Sequence, residues 1–148
     1  MPTYVCKSMK GRLSADQKTK IARLITKIHA EVTGAPAYFA QVIFEEIEKG
    51  NHFIGGAPLQ HDHIFVHGHI RDGRAAVDKT RMIKQMAVAI ADAVEVDSTG
   101  VWVYASEIPA KQMVEFGHVL PAAGDEPSWT DALPSDQREW MRSIASVN

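Results

Sequence analysis

Lys79-Thr80-Arg81-Met82-Ile83-Lys84-Gln85-Met86-Ala87-Val88-Ala89-Ile90-Ala91-Asp92-Ala93-Val94 is the stretch whose reading decides the fold. Met82, Ile83, Met86, Ile90 and Val94 recur at helical spacing, so 79–94 is predicted to be a helix with one face fit for burial. Short β-branched and aromatic runs flank it, Ile64-Phe65-Val66 before and Val101-Trp102-Val103-Tyr104 after, and each reads as a strand. A connection that contains a helix is how parallel strands are joined, with a right-handed crossover.

The same β, α, β order stands upstream. Thr3 to Lys7 reads as a strand, and Ser14 with Gln17 three residues on forms a capping box. Ile21, Leu24, Ile25, Ile28 and Val32 then mark a helix that stops at Gly34, and Gln41-Val42-Ile43-Phe44-Glu45-Glu46-Ile47 is a second strand. A slide of 61 positions lays Val5 on Val66, Lys18-Thr19 on Lys79-Thr80, Val42 on Val103 and Glu46-Ile47 on Glu107-Ile108. The expected architecture is α+β: tandem β-α-β repeats giving a four-stranded mixed sheet with two helices on one face. The repeats cover 2–60 and 61–120, and an arm over 121–148, rich in Pro, Gly, Asp and Glu, packs through Trp129 and Trp140; all 148 residues form one domain. The second face of such a sheet needs a cover, which self-association supplies.

Hydrophobic content of 45%, charged content of 23% and a net charge of -2 are those of a soluble globular chain. The basic residues are scattered, which excludes nucleic acid and acidic membrane surfaces as expected partners. One cysteine, Cys6, forms no internal disulfide, and no charged, apolar leader is visible, so a reduced cytoplasmic location is expected. Cys6 alternates with Tyr4 on the first strand and reads as a buried structural thiol.

Five places carry candidate chemistry. Pro2 follows Met1, and removal of Met1 would leave a secondary amine titrating near ~8, able to act as acid or base. Arg71-Asp72-Gly73-Arg74 sets two guanidinium groups around a glycine turn before the second helix, a carboxylate clamp if it is not a solvated loop. His29 lies near the end of the first helix, where it can meet a ligand anion or the helix dipole. Tyr104 and Glu115 could together hold and deprotonate one water. His61, His63, His67 and His69 suggest a metal, but His63 and His67 would stand roughly 13 Å apart on a strand, so surface or interface histidines are expected and no metal site. Asn51-His52-Phe53-Ile54-Gly55-Gly56 lacks the lysine of a phosphate-cradling loop.

Pro2 behind the methionine, the doubled unit and the series His29, Arg71, Arg74, Tyr104 and Glu115 resemble the tautomerase superfamily, in particular its fused-repeat branch typified by cis-3-chloroacrylic acid dehalogenase. The likeness is carried by Ala40-Gln41-Val42, Phe53-Ile54-Gly55-Gly56, Ile64 to Gly68, Arg71-Asp72-Gly73-Arg74, Trp102-Val103-Tyr104 and Pro109 to Gly117. The resemblance implies a homotrimer of tautomerase-like chains with no cofactor and a small carboxylate as substrate. It implies that Arg71 and Arg74 grip that carboxylate with help from His29, that Glu115 and Tyr104 activate water, and that protonated Pro2 delivers a proton. The activity implied is hydration or dehalogenation of a small 3-substituted unsaturated acid, giving malonate semialdehyde. Two alternatives stand beside it: a keto-enol tautomerase with Pro2 as base, and a trimeric binding protein without catalysis.

Overall fold

Ser14 sets where the first helix begins. Its hydroxyl accepts from the Gln17 amide at 3.1 Å while the Gln17 side chain accepts from the Ser14 amide at 3.0 Å, so two orphan donors of the first turn are satisfied reciprocally. The computed structural model describes residues 2–145, so Met1 and the last three positions of the expected arm lie outside the described residues.

The first unit runs β1 (Thr3–Met9), α1 (Ala15–Thr33), β2 (Gln41–Ile47) and a small hairpin, β3 (Phe53–Ile54) and β4 (Ala57–Pro58). The second runs β5 (Ile64–Arg71), α2 (Ala76–Val94), β6 (Val101–Ile108) and a hairpin, β7 (Val114–Glu115) and β8 (His118–Val119). Two helices follow, α3 (Glu126–Asp131) and α4 (Ser135–Ala145). The main sheet has the order β2-β1-β5-β6. β1 pairs parallel with β2, β5 parallel with β6, and β1 antiparallel with β5. This is the expected α+β mixed sheet with its tandem repeat.

The slide of 61 positions holds for nearly every element. It carries the 19 residues of α1 onto the 19 of α2. It carries the 3-10 turn Ala37–Phe39 onto Ser98–Gly100 and the first hairpin onto the second. Four expectations need correction. Helix α2 begins at Ala76 rather than Lys79, and β5 extends beyond 64–66 to Arg71 because β1 and β6 both pair with it. The segment after Pro109, read as a short helix or turn, is one 3-10 turn (Ala110–Gln112) followed by the β7–β8 hairpin. The first strands also correspond with an offset: Lys10 N donates to Ile47 O, and its counterpart Asp72 N donates to Ile108 O, both at 3.0 Å. Residues 72–75 form a shorter turn than 10–14, so Val5, on the open face, is not the counterpart of Val66, which is buried.

Ile21, Ile25 and Ile28 of α1 and Met82, Met86 and Ile90 of α2 bury against Tyr4, Cys6, Ile64, Val66 and Ile70 of the sheet. Burial pushes the Cys6 thiol up to about 12, consistent with an inert packing group. A second cluster joins Phe39, Leu120, Leu133 and Met141, with Phe116 and Trp129 packed on it. The chain leaving β6 thus crosses the end of the sheet to the turn before β2, and the arm is fastened there. The Trp129 indole donates to Val119 O at 3.0 Å, and the Trp140 ring meets Phe116 edge-on at 5.5 Å. On the opposite sheet face Ile43, Val5, His67 and Tyr104 form one cross-strand row and Lys7, Phe65 and Trp102 the adjacent one, with Tyr104 51% exposed. No helix among the described residues is long and apolar enough to cross a membrane.

Candidate active site

Antiparallel pairing puts the start of β1 beside the end of β5, because Thr3 is opposite His69. Pro2 and Arg71 therefore share one end of the sheet. Pro2 is buried, and its carbonyl accepts from the Gln41 amide at 3.0 Å, which fixes the start of β1 against β2. The next residue on the same strand face is Tyr4, whose ring crosses Gly68. A β-carbon at Gly68 would lie 2.5 Å from the ring, so this close approach requires glycine.

The Tyr4 hydroxyl lies 2.9 Å from His29 Nδ1 and 3.5 Å from Met82 Sδ. Burial, then the charge of Arg74, lowers His29 to about 3, so its ring is neutral at ordinary pH. Burial raises the Tyr4 phenol and keeps its proton. A thioether is a weak acceptor, so the phenol donates to Nδ1, which assigns the imidazole proton to Nε2. His29 is thus held as a neutral donor through Nε2–H rather than as a cation.

The end of α1 turns toward the guanidinium pair. Thr33 Oγ1 donates to His29 O at 2.6 Å, and Thr33 O accepts from Arg74 Nη1 at 2.6 Å. Arg74 Nη2 donates to Glu126 Oε1 at 3.1 Å, and Arg71 Nη2 donates to the same oxygen. Arg71 Nη1 donates to Pro121 O at 2.7 Å, and the Gly124 amide donates to Glu126 Oε2 at 2.8 Å. Burial would raise the Glu126 carboxyl, but its own backbone N–H, Arg71 and the Gly124 amide outweigh this, and the net shift is downward. The clamp therefore holds an ionised carboxylate of its own chain. Arg71 Nε is buried with no hydrogen-bond partner, a donor left unused by the contacts of the chain itself.

Of the residues singled out in the sequence, Arg71, Arg74 and His29 gather at the Pro2 end of the sheet. Glu115 lies on β7 and lines a cavity of about 710 Å³ with Thr3, Phe39, Gln41 and Phe116. Tyr104 does not line that cavity. It sits on the open sheet face edge-on to Phe65 at 5.0 Å, and three strand spacings, roughly 14 Å, separate it from β2, whose first residue lines the cavity. One chain does not bring Tyr104 and Glu115 together. Among the histidines, His63 is buried against Trp102 and His52, while His67 bonds Ser106 at 2.8 Å and its ring centre lies 4.3 Å from that of His69. No group of three or more potential metal ligands occurs among the described residues.

Sequence reasoning missed Glu126 and Tyr4. Glu126 is one of several acidic residues in the arm, and its partners stand 52 and 55 positions away, so no local pattern marks it. Tyr4 carried a signal, an aromatic on the apolar face of the first strand, but not its hydroxyl partner.

The family model described as "Putative oxalocrotonate tautomerase enzyme" matches residues 1–132. A crystal structure of a member of the cis-3-chloroacrylic acid dehalogenase (cis-CaaD) family is similar at 34% identity, with a TM-score of 0.93, over 95% of this chain and 99% of that one. A fused 4-OT asymmetric trimer is similar in fold at 20% identity and a TM-score of 0.69, over 79% of this chain and 94% of that one. A malonate semialdehyde decarboxylase inhibited by 3-bromopropiolate is likewise similar in fold at 18% identity and a TM-score of 0.69, over 89% and 99% of the two chains. No curated protein matches.

Proposed function

The chain belongs to the tautomerase superfamily, and from that premise we propose that it hydrates or dehalogenates small 3-substituted unsaturated monocarboxylates, with Pro2 as general acid. The observation that supports this most is the convergence of Arg71, Arg74 and neutral His29 at the end of the sheet where Pro2 is buried.

Arg74, Arg71 through Nε–H, and His29 through Nε2–H hold the substrate carboxylate. Glu115 takes a proton from water, whose oxygen attacks C3. Electrons move toward the carboxylate, where the guanidinium charge stabilises them, and the Pro2 ammonium delivers a proton to C2. A 3-haloacrylate becomes a 3-halo-3-hydroxy acid, which loses halide and a proton to give malonate semialdehyde. A propiolate-type acid adds one water to reach the enol of the same product. Removal of Met1, which lies outside the described residues, is required, since an acylated Pro2 nitrogen has no proton to give.

Tyr104 joins Glu115 only by way of another copy, so we assign the open face of Ile43, Phe65, Trp102 and Tyr104 to a homotrimer interface. Light scattering should give three times 16.3 kDa, and a monomer would remove Tyr104 from the site. A tautomerase reading is favoured by one observation, the cationic guanidinium pair at the Pro2 end, because positive charge lowers an amine pKa and would make Pro2 a base. The test is to incubate protein confirmed by intact mass to lack Met1 with 3-haloacrylates, propiolate and enol acids, following products by NMR. Malonate semialdehyde should form and should vanish in Glu115→Gln, while tautomerisation of an enol acid is largely spared. Equal loss of both activities, or no product from any unsaturated acid, would reject the assignment.

A further inference from the structure

Two guanidinium groups with only one substrate carboxylate between them would leave a buried positive charge unmatched, and the fold resolves this before any ligand arrives. Glu126 is 5% exposed and Arg71 is 3% exposed. The carboxylate bridges both arginines through a single oxygen and is held from behind by the Gly124 amide. His29 and Tyr4 are neutral, and the nearest further carboxylate on α2, Asp78, is ion-paired with Arg81 at 3.0 Å. The cluster of Arg71, Arg74 and Glu126 therefore carries one net positive charge.

We propose that Glu126 is a specificity-determining residue: its carboxylate permanently takes one of the two positions the arginine pair can offer, so the site accepts a monocarboxylate and rejects a dicarboxylate. The physical reason is that a first carboxylate neutralises the cluster, and the other cation of the proposed scheme, the Pro2 ammonium, is balanced by the ionised Glu115, so a second substrate carboxylate would be desolvated with no unmatched charge to meet it. Glu126 touches no reacting atom in this scheme. The inference rests on the reading of Arg71 and Arg74 as the substrate-carboxylate clamp.

The experiment is an NMR titration of the full chain with two unreactive probes, propanoate and succinate. The wild type should bind propanoate at least ten-fold more tightly than succinate. Glu126→Gln keeps the shape and removes the charge, and should shift that ratio by at least ten-fold toward succinate. Glu126→Asp keeps the charge and should retain the wild-type preference, as should Glu139→Gln on the exposed side of α4. A purely structural role for Glu126 would weaken both probes together and leave the ratio unmoved, which would overturn the proposal. Equal affinity of the wild type for the two probes would overturn it without any variant, as would failure of propanoate to bind the wild type or of succinate to bind Glu126→Gln. The functional reading fails separately: no turnover of unsaturated acids with a shifted binding ratio would sink the reaction and keep the specificity role, and turnover with an unshifted ratio the reverse.

Discussion

Replacing Arg71 by methionine removes a cation that is 3% exposed from a carboxylate that is 5% exposed. Stranding one member of a buried pair costs about 3–5 kcal/mol. Arg74 remains 3.1 Å from the same oxygen, which favours the lower end, and loss of the bond to Pro121 O adds about 1 kcal/mol. Against this stands the docking of the arm. Leu120, Leu133 and Met141 are buried, and at about 1.5–3 kcal/mol each they contribute roughly 5–9 kcal/mol. The perturbation is comparable to the docking energy but smaller. The arm should remain mostly docked while its opening becomes easier by about 4 kcal/mol, which is roughly a thousand-fold at 1.4 kcal/mol per ten-fold step. Native-state hydrogen exchange reads this directly. The amides of Trp129, Ala132 and Leu133, which bond within the arm, should exchange about a thousand-fold faster in Arg71→Met, and those of β1 and β5 much less. Adding Glu126→Gln removes the stranded charge and should recover most of the protection. Uniform loss across the sheet, or a double variant no better than the single one, would refute the claim that Arg71 acts through Glu126 to fasten the arm.

Three further outcomes follow from the same geometry. Gly68→Ala places a β-carbon 2.5 Å from the Tyr4 ring and should cost about 1–3 kcal/mol in urea denaturation while displacing the His29 ring resonances; an unshifted His29 signal would argue against the packing chain from Gly68 through Tyr4. The folded-state pKa of Glu126 is depressed, so its stabilisation is present above the unfolded value near ~4.3 and is lost as pH falls through the folded one; acid should release the arm to proteolysis only below that unfolded value, and an identical profile for Glu126→Gln would be the contrary result. His29 is lowered to about 3, so between about pH 6.5 and 3 the unfolded chain binds a proton that the folded chain refuses. Its contribution to stability should fall by up to about 1.4 kcal/mol per pH unit through that window, and urea midpoints at pH 7 and 5 should differ less in His29→Gln than in the wild type.

The repeat was legible because both units obey one spacing from helix to hairpin, and a handful of coincident residues was enough to see it. The first strands escaped because the turn at 72–75 is shorter than that at 10–14; one residue of offset exchanges the two faces of a strand, and Val5 and Val66 part company there. The second hairpin was misread from its own letters, since Met113-Val114-Glu115-Phe116-Gly117 is short and apolar enough to suit either a helix or a strand. The repeat itself held the answer: Phe53-Ile54-Gly55-Gly56 slides onto Val114-Glu115-Phe116-Gly117, and Gly55 and Phe116 share the left-handed backbone, at φ 62 and φ 53. At the site the residue types were readable, but Glu126 gains its meaning only from where the arm folds back.

The near symmetry of the two units shows what separates a structural arginine from a site. Arg12 occupies in the first turn the position Arg74 occupies in the second. Each caps the last turn of the other unit's helix, Arg12 on Val94 O at 3.0 Å and Arg74 on Thr33 O at 2.6 Å, and each holds a carboxylate, Asp62 for Arg12 and Glu126 for Arg74. The arginine–helix–carboxylate motif therefore belongs to the architecture and carries no chemistry by itself. What differs is the surroundings: the slide carries His29 onto Ile90 and Glu115 back onto Ile54, and the first-strand offset carries Arg71 back onto Met9. Pro2 corresponds to Ile64, whose nitrogen is an amide within the chain whatever becomes of Met1. An amine can exist at only one of the two ends, so polar residues that depend on it would be stranded at the other, where burying them costs stability without return. Under the proposed function, apolar Met9, Ile54 and Ile90 are what that constraint predicts, and the end that carries His29, Arg71 and Glu115 in their place is the one where Pro2 begins the sheet.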